Sequence, residues 1–155
     1  MNFENIRLFL TDCDGVLTDG GMYYFEDGNE AKKFNTKDGM AFKLLREKGV
    51  KIGIITGEKT KIVENRANKL KMDFLYQGVT DKLSVIKSIC SRENITLQQI
   101  VYVGDDINDI EALKSVGFSA CPADANHKVV PCCKYVCRAC GGQGVIREIV
   151  DMILK

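Results

Sequence analysis

Two acidic side chains separated by one residue, Asp12 and Asp14, follow the apolar run Ile6–Leu10. A second acidic group, Asp105, Asp106 and Asp109, follows the apolar run Ile100–Val103. A carboxylate can attack an electrophile or move a proton. Several carboxylates gathered at one place repel each other and need a cation to stay ionised. Hard oxygen ligands of this kind suit Mg2+, which keeps waters and a substrate oxygen in its octahedral shell. Asp12 and Asp105 are the candidate side-chain ligands, and the backbone carbonyl of Asp14 completes the protein's share. Two further groups fit the same chemistry. Thr56 can donate a hydrogen bond to a phosphate oxygen, and Lys82 is a compact positive charge that can offset a phosphoryl group in flight. The single histidine, His127, falls in a late loop and reads as a surface residue.

These residues work together only if the fold brings them together. Strand-like apolar runs alternate with amphipathic stretches along the chain. The expected strands are Ile6–Leu10, Lys51–Thr56, Phe74–Tyr76, Ile100–Val103, Phe118–Cys121 and, at an edge, Tyr135–Cys137. Helices are expected around Ala41–Leu45, over Glu58–Lys71 and Lys82–Arg92, over Ile110–Val116 and over Val145–Leu154. Met22–Phe25 and Ala31–Phe34 flank Glu26-Asp27-Gly28-Asn29 and read as a hairpin. Alternating strands and helices imply parallel βαβ units in a Rossmann-like three-layer α/β/α sandwich with a mostly parallel sheet. In such a sheet the active site lies beyond the carboxyl ends of the strands. Asp12, Thr56 and Asp105 all sit there, so the topology predicts that they converge.

The chain has 155 residues, 45% of them apolar and 28% charged, which suits one domain over 1–155 with a hairpin flap at about 20–35. A formal net charge of +1 provides no field for nucleic acid or an anionic membrane, and no apolar run is long enough to cross a bilayer. The first residues lack the pattern of a signal peptide, so the expected location is cytoplasmic. Seven cysteines, an odd number, argue for reduced thiols rather than a disulfide framework. Cys133, Cys137 and Cys140 could ligate zinc, but Cys132, Cys133, Cys137 and Cys140 lack the usual paired spacing and read as reduced cysteines.

The motifs resemble those of the haloacid dehalogenase superfamily. Leu8-Phe9-Leu10-Thr11-Asp12-Cys13-Asp14-Gly15-Val16-Leu17-Thr18 is similar to its first motif and Ile54-Ile55-Thr56-Gly57 to its second. Lys82 in Asp81-Lys82-Leu83 is similar to the third, and Gly104-Asp105-Asp106-Ile107-Asn108-Asp109 to the fourth. By that resemblance the chain is a phosphatase. Asp12 would form an aspartyl phosphate, and Asp14 would protonate the leaving alkoxide and then activate water. Thr56 and Lys82 would hold the phosphoryl group, Asp105 would ligate magnesium, and Asp106 and Asp109 would support it. The hairpin in place of a large insertion resembles the capless subclass, whose members act on phosphorylated 2-keto-3-deoxy sugar acids as homotetramers in which neighbouring subunits close each site. Cys140-Gly141-Gly142-Gln143-Gly144 followed by Arg147-Glu148 also resembles the subclass. Its glycines suggest a mobile loop or a linker.

Within the subclass, Glu58 stands where octulosonate 8-phosphate phosphatases typically carry arginine, and Glu58 with Lys69 is similar to the ketodeoxynononate (KDN) 9-phosphate phosphatases, where these positions recognise substrate. Thr36, Gly57 and Arg66 are marked as substrate-binding positions by the same resemblance. Thr36-Lys37-Asp38-Gly39 fits both groups. The preferred expectation is a KDN or N-acylneuraminate (sialic acid) 9-phosphate, and the alternative is 3-deoxy-D-manno-octulosonate (KDO) 8-phosphate. Read as three turns of one helix, Glu58 and Lys69 share a face without touching. Two other classes compete. One is a non-catalytic assembly domain like that of some sialate cytidylyltransferases, against which every catalytic position is filled. The other is a signalling receiver domain, whose paired acids follow its first strand and whose phosphate acceptor follows a middle one.

Overall fold

The computed structural model describes residues 5–154. Leu8–Thr11 (β1) is buried along its whole length, and a strand with no exposed face belongs inside a sheet covered on both sides. It lies between β4 (Lys51–Ile55) and β6 (Ile100–Val103), parallel to both. The full order is β5-β4-β1-β6-β7-β8, with β5 at Phe74–Tyr76, β7 at Phe118–Cys121 and β8 at Tyr135–Val136, and every pairing is parallel. This is the α/β sandwich that the alternation predicts. Thr11 pairs with Ile54 on one side and Val103 on the other, so the three central strands end level and release Asp12, Thr56 and Gly104-Asp105 at one edge.

Side-chain alternation splits the core into two layers. Phe9, Ile52, Ile54, Val101 and Val103 face α1 (Thr36–Glu47), α2 (Lys61–Leu70) and α5 (Val145–Ile153) through Phe42, Leu45, Val63, Ala67, Ile146 and Ile149. Leu8, Leu10, Ile100 and Tyr102 face α3 (Lys82–Glu93) and α4 (Ile110–Ser115) through Ile86, Ile89, Ala112 and Leu113. No helix among the described residues is long and apolar enough to cross a membrane.

The expected helix over Glu58–Lys71 is corrected at its start. Thr60 takes extended backbone and accepts a hydrogen bond from the Val63 N–H, so α2 begins at Lys61 and Glu58 stays in the preceding loop. Glu58 and Lys69 therefore do not share a helix face. The hairpin forms as β2 (Tyr23–Tyr24) paired antiparallel with β3 (Glu30–Ala31), closed by Phe25 N–H to Asn29 O at 2.9 Å. Its turn falls at Glu26–Asn29 as expected. Its strands are shorter than expected, and among the described residues no third strand extends the ladder.

The glycine-rich stretch is not a linker. Gly141 donates to Asp124 Oδ1 at 2.9 Å, Gly142 donates to the Val16 carbonyl at 3.0 Å, and the Gly142 carbonyl accepts from Asn35 Nδ2 at 3.1 Å. A Cβ on Gly141 would lie 2.2 Å from the Gly15 carbonyl oxygen, so glycine here permits backbone to pack on backbone. All seven cysteines are unpaired. Among the described residues, the one set of three or more potential metal ligands that converges is Asp12, Asp105 and Asp109, with no cysteine in it.

Candidate active site

Asp12 emerges from β1 only 6% exposed. Its Oδ1 accepts the Cys13 N–H at 2.6 Å and its Oδ2 lies 2.8 Å from Lys82 Nζ. Lys82 opens α3, whose N-cap Asp81 accepts from the Ser84 N–H, so the cap fixes where the lysine stem starts. The ammonium is buried and also meets Asp109 Oδ1 at 2.7 Å. Tyr102 from β6 donates to that same oxygen at 2.5 Å, while Asp109 Oδ2 accepts the Asp105 and Asp106 N–H groups at 3.0 and 3.2 Å. Both oxygens of Asp109 are thus engaged in holding the loop and the lysine. Asp106 Oδ1 accepts from the Ile107 N–H and from Asn126 Nδ2 at 2.8 and 3.0 Å, which pins the turn that carries Asp109.

Asp105 is a half-buried carboxyl that meets several negative charges. Burial first, then the charges of Asp12, Asp109 and Asp106, push its carboxyl up from 3.8 to about 8 despite Lys82. Asp12 is raised to about 6 by burial and Asp109, with Lys82 acting the other way. Oxygens of Asp12, Asp105 and Asp109 lie within 4.8 Å of one another, and Asp105 Oδ1 is buried without a hydrogen-bond partner among the described residues. An orphaned carboxylate oxygen in an all-oxygen set short of positive charge fits a hard divalent cation. Each oxygen of Asp109 already takes two donors, whereas each oxygen of Asp12 takes one and Asp105 Oδ1 takes none, so Asp12 and Asp105 keep lone pairs to offer. Gly15, at φ +84°, lets the first loop cross above them, where a Cβ would lie 2.0 Å from Asp105 Oδ2.

Asp12, Asp105 and Gly15 line a cleft of about 310 Å³ with Asp14, Gly20, Thr56, Gly57, Glu58, Asp106 and Asn108. Its acids, hydroxyl and neighbouring ammonium can cleave a phosphate ester by nucleophilic displacement with proton transfer.

The comparisons with known proteins bear on this chemistry. Residues 74–149 match the model of the haloacid dehalogenase-like hydrolases. The chain is 40% identical over 151 residues to the 3-deoxy-D-manno-octulosonate 8-phosphate phosphatase of Escherichia coli K12, covering 97% of this chain and 80% of that protein. The crystal structure of the Yersinia pestis phosphatase of the same name superposes with a TM-score of 0.95 at 39% identity, over 99% of this chain and 83% of that one. The Moraxella catarrhalis phosphatase of that name, in complex with magnesium, phosphate and KDO, gives 0.96 at 32% identity, over 99% and 88%. The chain belongs to the haloacid dehalogenase-like hydrolases. It is a phosphatase, and its acidic site fits the magnesium that a family member holds.

In this phosphatase the cleft gathers Asp12, Asp14, Thr56, Gly57, Glu58, Asp105 and Asp106, with Lys82 and Asp109 immediately behind. It does not gather Thr36, Arg66 or Lys69. Thr36 is exposed at the start of α1, and Arg66 donates to the Asn35 carbonyl at 2.9 Å and stacks over Phe34. Lys69 is exposed near the far end of α2, which leads away from the strand tips. His127 is exposed. Sequence reading missed Lys32, Tyr102 and Asn108. Tyr102 looked like one more apolar strand residue. Lys32 fell inside the expected hairpin strand Ala31–Phe34 and carried no motif, yet its ammonium reaches Asp14 Oδ1 at 2.7 Å and Glu58 Oε2 at 2.8 Å.

Proposed function

We propose that the chain hydrolyses the phosphomonoester of a 2-keto-3-deoxy sugar acid through a phospho-aspartate on Asp12, with Mg2+ as cofactor. The observation that carries this reading is the buried pairing of Asp12 with Lys82 beside Asp105, at the mouth of a polar cleft. Asp12 attacks phosphorus and the ester P–O bond breaks, while Asp14 gives its proton to the departing alkoxide. Water then attacks the phospho-aspartate, Asp14 takes up a proton, and the Asp12–phosphorus bond breaks to release phosphate. Lys82 balances the negative charge around Asp12, and Thr56 hydrogen-bonds a phosphoryl oxygen. Asp12 and Asp105, with the Asp14 carbonyl, would hold magnesium, which neutralises the phosphoryl oxygens when bound. Asp106 and Asp109 hold the loop that presents Asp105.

Two sugar acids fit. Glu58, on the cleft rim, supports a nononate 9-phosphate such as that of ketodeoxynononate or N-acetylneuraminate, because a carboxylate accepts hydrogen bonds from a longer hydroxyl-bearing chain. The names of the relatives support octulosonate 8-phosphate. Measuring kcat/KM on all three esters, with magnesium and with EDTA, decides between them. A preference for the nononates that Glu58→Arg reverses sustains the first reading, and a preference for octulosonate in the parent enzyme replaces it with the second.

The apolar hairpin supports assembly into a homotetramer, which would also be the only route by which Lys69 could reach a cleft, that of a neighbour. The unpaired thiols suit a reducing cytoplasm.

A further inference from the structure

The Lys32 side chain is only 3% exposed, yet it belongs to neither half of the sheet core. It follows β3 directly, so the returning arm of the hairpin delivers it to the strand tips. There one ammonium bridges two carboxylates from separate loops, Asp14 after β1 and Glu58 after β4. The two oxygens of Asp14 are treated differently. Oδ1 accepts from Lys32 at 2.7 Å and from Thr18 Oγ1 at 3.3 Å, while Oδ2 is buried with no hydrogen-bond partner among the described residues. A carboxyl that delivers a proton must present one chosen oxygen to the leaving group. A fixed cation on one oxygen sets that choice, because rotating the carboxyl would break a short charge-assisted bond.

We propose that Lys32 is a positioning residue for the proton-transfer step: it holds Asp14 by Oδ1, so that the carboxyl cannot rotate, and ties this orientation to Glu58 on the cleft rim. The inference rests on the reading of Asp14 as the acid that protonates the leaving group. It gives the hairpin a task inside its own subunit, apart from any contact with a neighbour. No group is transferred to or from Lys32, and the proton passes from Asp14 to the alkoxide oxygen as the P–O bond breaks.

Leaving-group dependence tests it. Octulosonate 8-phosphate expels a primary alkoxide, which needs a proton, whereas p-nitrophenyl phosphate expels a stable phenolate, which does not. The comparison uses kcat/KM, which reports steps up to the first irreversible one, in the full-length enzyme with magnesium. Lys32→Met is expected to lose about 100-fold on the alkyl ester, within the range general acid catalysis supplies, and only a few-fold on the aryl ester. Lys32→Arg, which keeps a cation there, should recover much of the alkyl-ester loss. Asp14→Asn serves as the reference and should show the same selective loss, only larger. If Asp14→Asn is selective while Lys32→Met loses equally on both esters, or on neither, the positioning role is overturned and the reading of Asp14 stands. If Asp14→Asn is itself unselective, that reading fails and the inference falls with it. Should Lys32→Met not fold, as judged by its thermal melt, Lys32→Gln replaces it under the same criteria.

Discussion

Asp12, Lys82 and Asp109 at the strand tips are between 0% and 6% exposed, and each has named partners. A few residues downstream, Met22, Tyr23, Tyr24 and Phe25 on the hairpin are 46–69% exposed, on a ladder of two residue pairs. The two regions put their polarity in opposite places. Charge is buried where chemistry is to happen, and apolar surface is left in water where it is not. Buried charge persists only if the fold itself supplies every partner. Exposed aromatic surface has no such requirement within one chain, and it is the surface that the proposed assembly would cover.

The most severe way to break this contrast is at its buried side. Asp12→Asn should lower turnover by several orders of magnitude, as removal of a nucleophile does, while far-ultraviolet circular dichroism and the thermal melt stay close to the parent's. Turnover near the parent's would remove Asp12 from the chemistry. Lys82→Met should cost about 3–5 kcal/mol in urea unfolding, because it strands the Asp12 and Asp109 carboxylates without their shared cation. A loss under about 1 kcal/mol would mean that the network is far better hydrated than its burial implies.

A seam between α1 and α5 sharpens the comparison. Asp38 in the first turn of α1 is buried and accepts the Arg147 N–H at 3.0 Å, which anchors the start of α5. Burial pushes its carboxyl up from 3.8 to about 6, against hydrogen bonds from the Arg147 and Ile146 backbone and the charge of Arg66. The folded chain therefore holds this proton more tightly than the unfolded chain does. Its stabilising contribution is complete below pH 3.8 and is lost as the pH rises through about 6. Relative to Asp38→Asn, the parent should lose on the order of 3 kcal/mol of stability between pH 4 and 7, as measured by urea unfolding across that range. Parallel pH profiles for the two proteins would show that the site is not buried in solution.

The smallest effect on the chain itself belongs to the hairpin. Tyr24→Ser with Phe25→Ser should change unfolding free energy by no more than about 0.5 kcal/mol, the usual scale for surface substitutions. The same pair should shift sedimentation toward a smaller species. If the sedimentation coefficient is unchanged, the exposed aromatics are not an assembly surface.

The legibility of the sequence follows the same division. Asp12, Thr56 and Asp105 could be placed together from the strand pattern alone, because parallel strands in register end level and side chains at their tips have nowhere else to go. Lys82 was legible because it opens an expected helix, and the structure starts α3 at that residue. Glu58 was placed on the wrong element, because a stretch rich in helix formers reads as helix from its first residue, whereas Thr60 caps the helix in the fold. Lys32 could not be found, since its position depends on how a two-residue ladder folds back over the sheet, and no local periodicity encodes that. The glycines at 141 and 142 were legible as glycines but not as a contact, because the first loop that they pack against lies more than a hundred residues earlier in the chain.

That last contact has a consequence for biosynthesis. A nascent chain that has emerged from the ribosome only as far as Val136 already carries every acidic group of the site and all six strands of the sheet. It still lacks the backbone on which Gly15, Val16 and Thr18 rest, and the helix that Asp38 anchors. The loop bearing Asp14 is thus finished from the opposite end of the message, and an incomplete translation product would carry the reactive groups without the scaffold that steadies them.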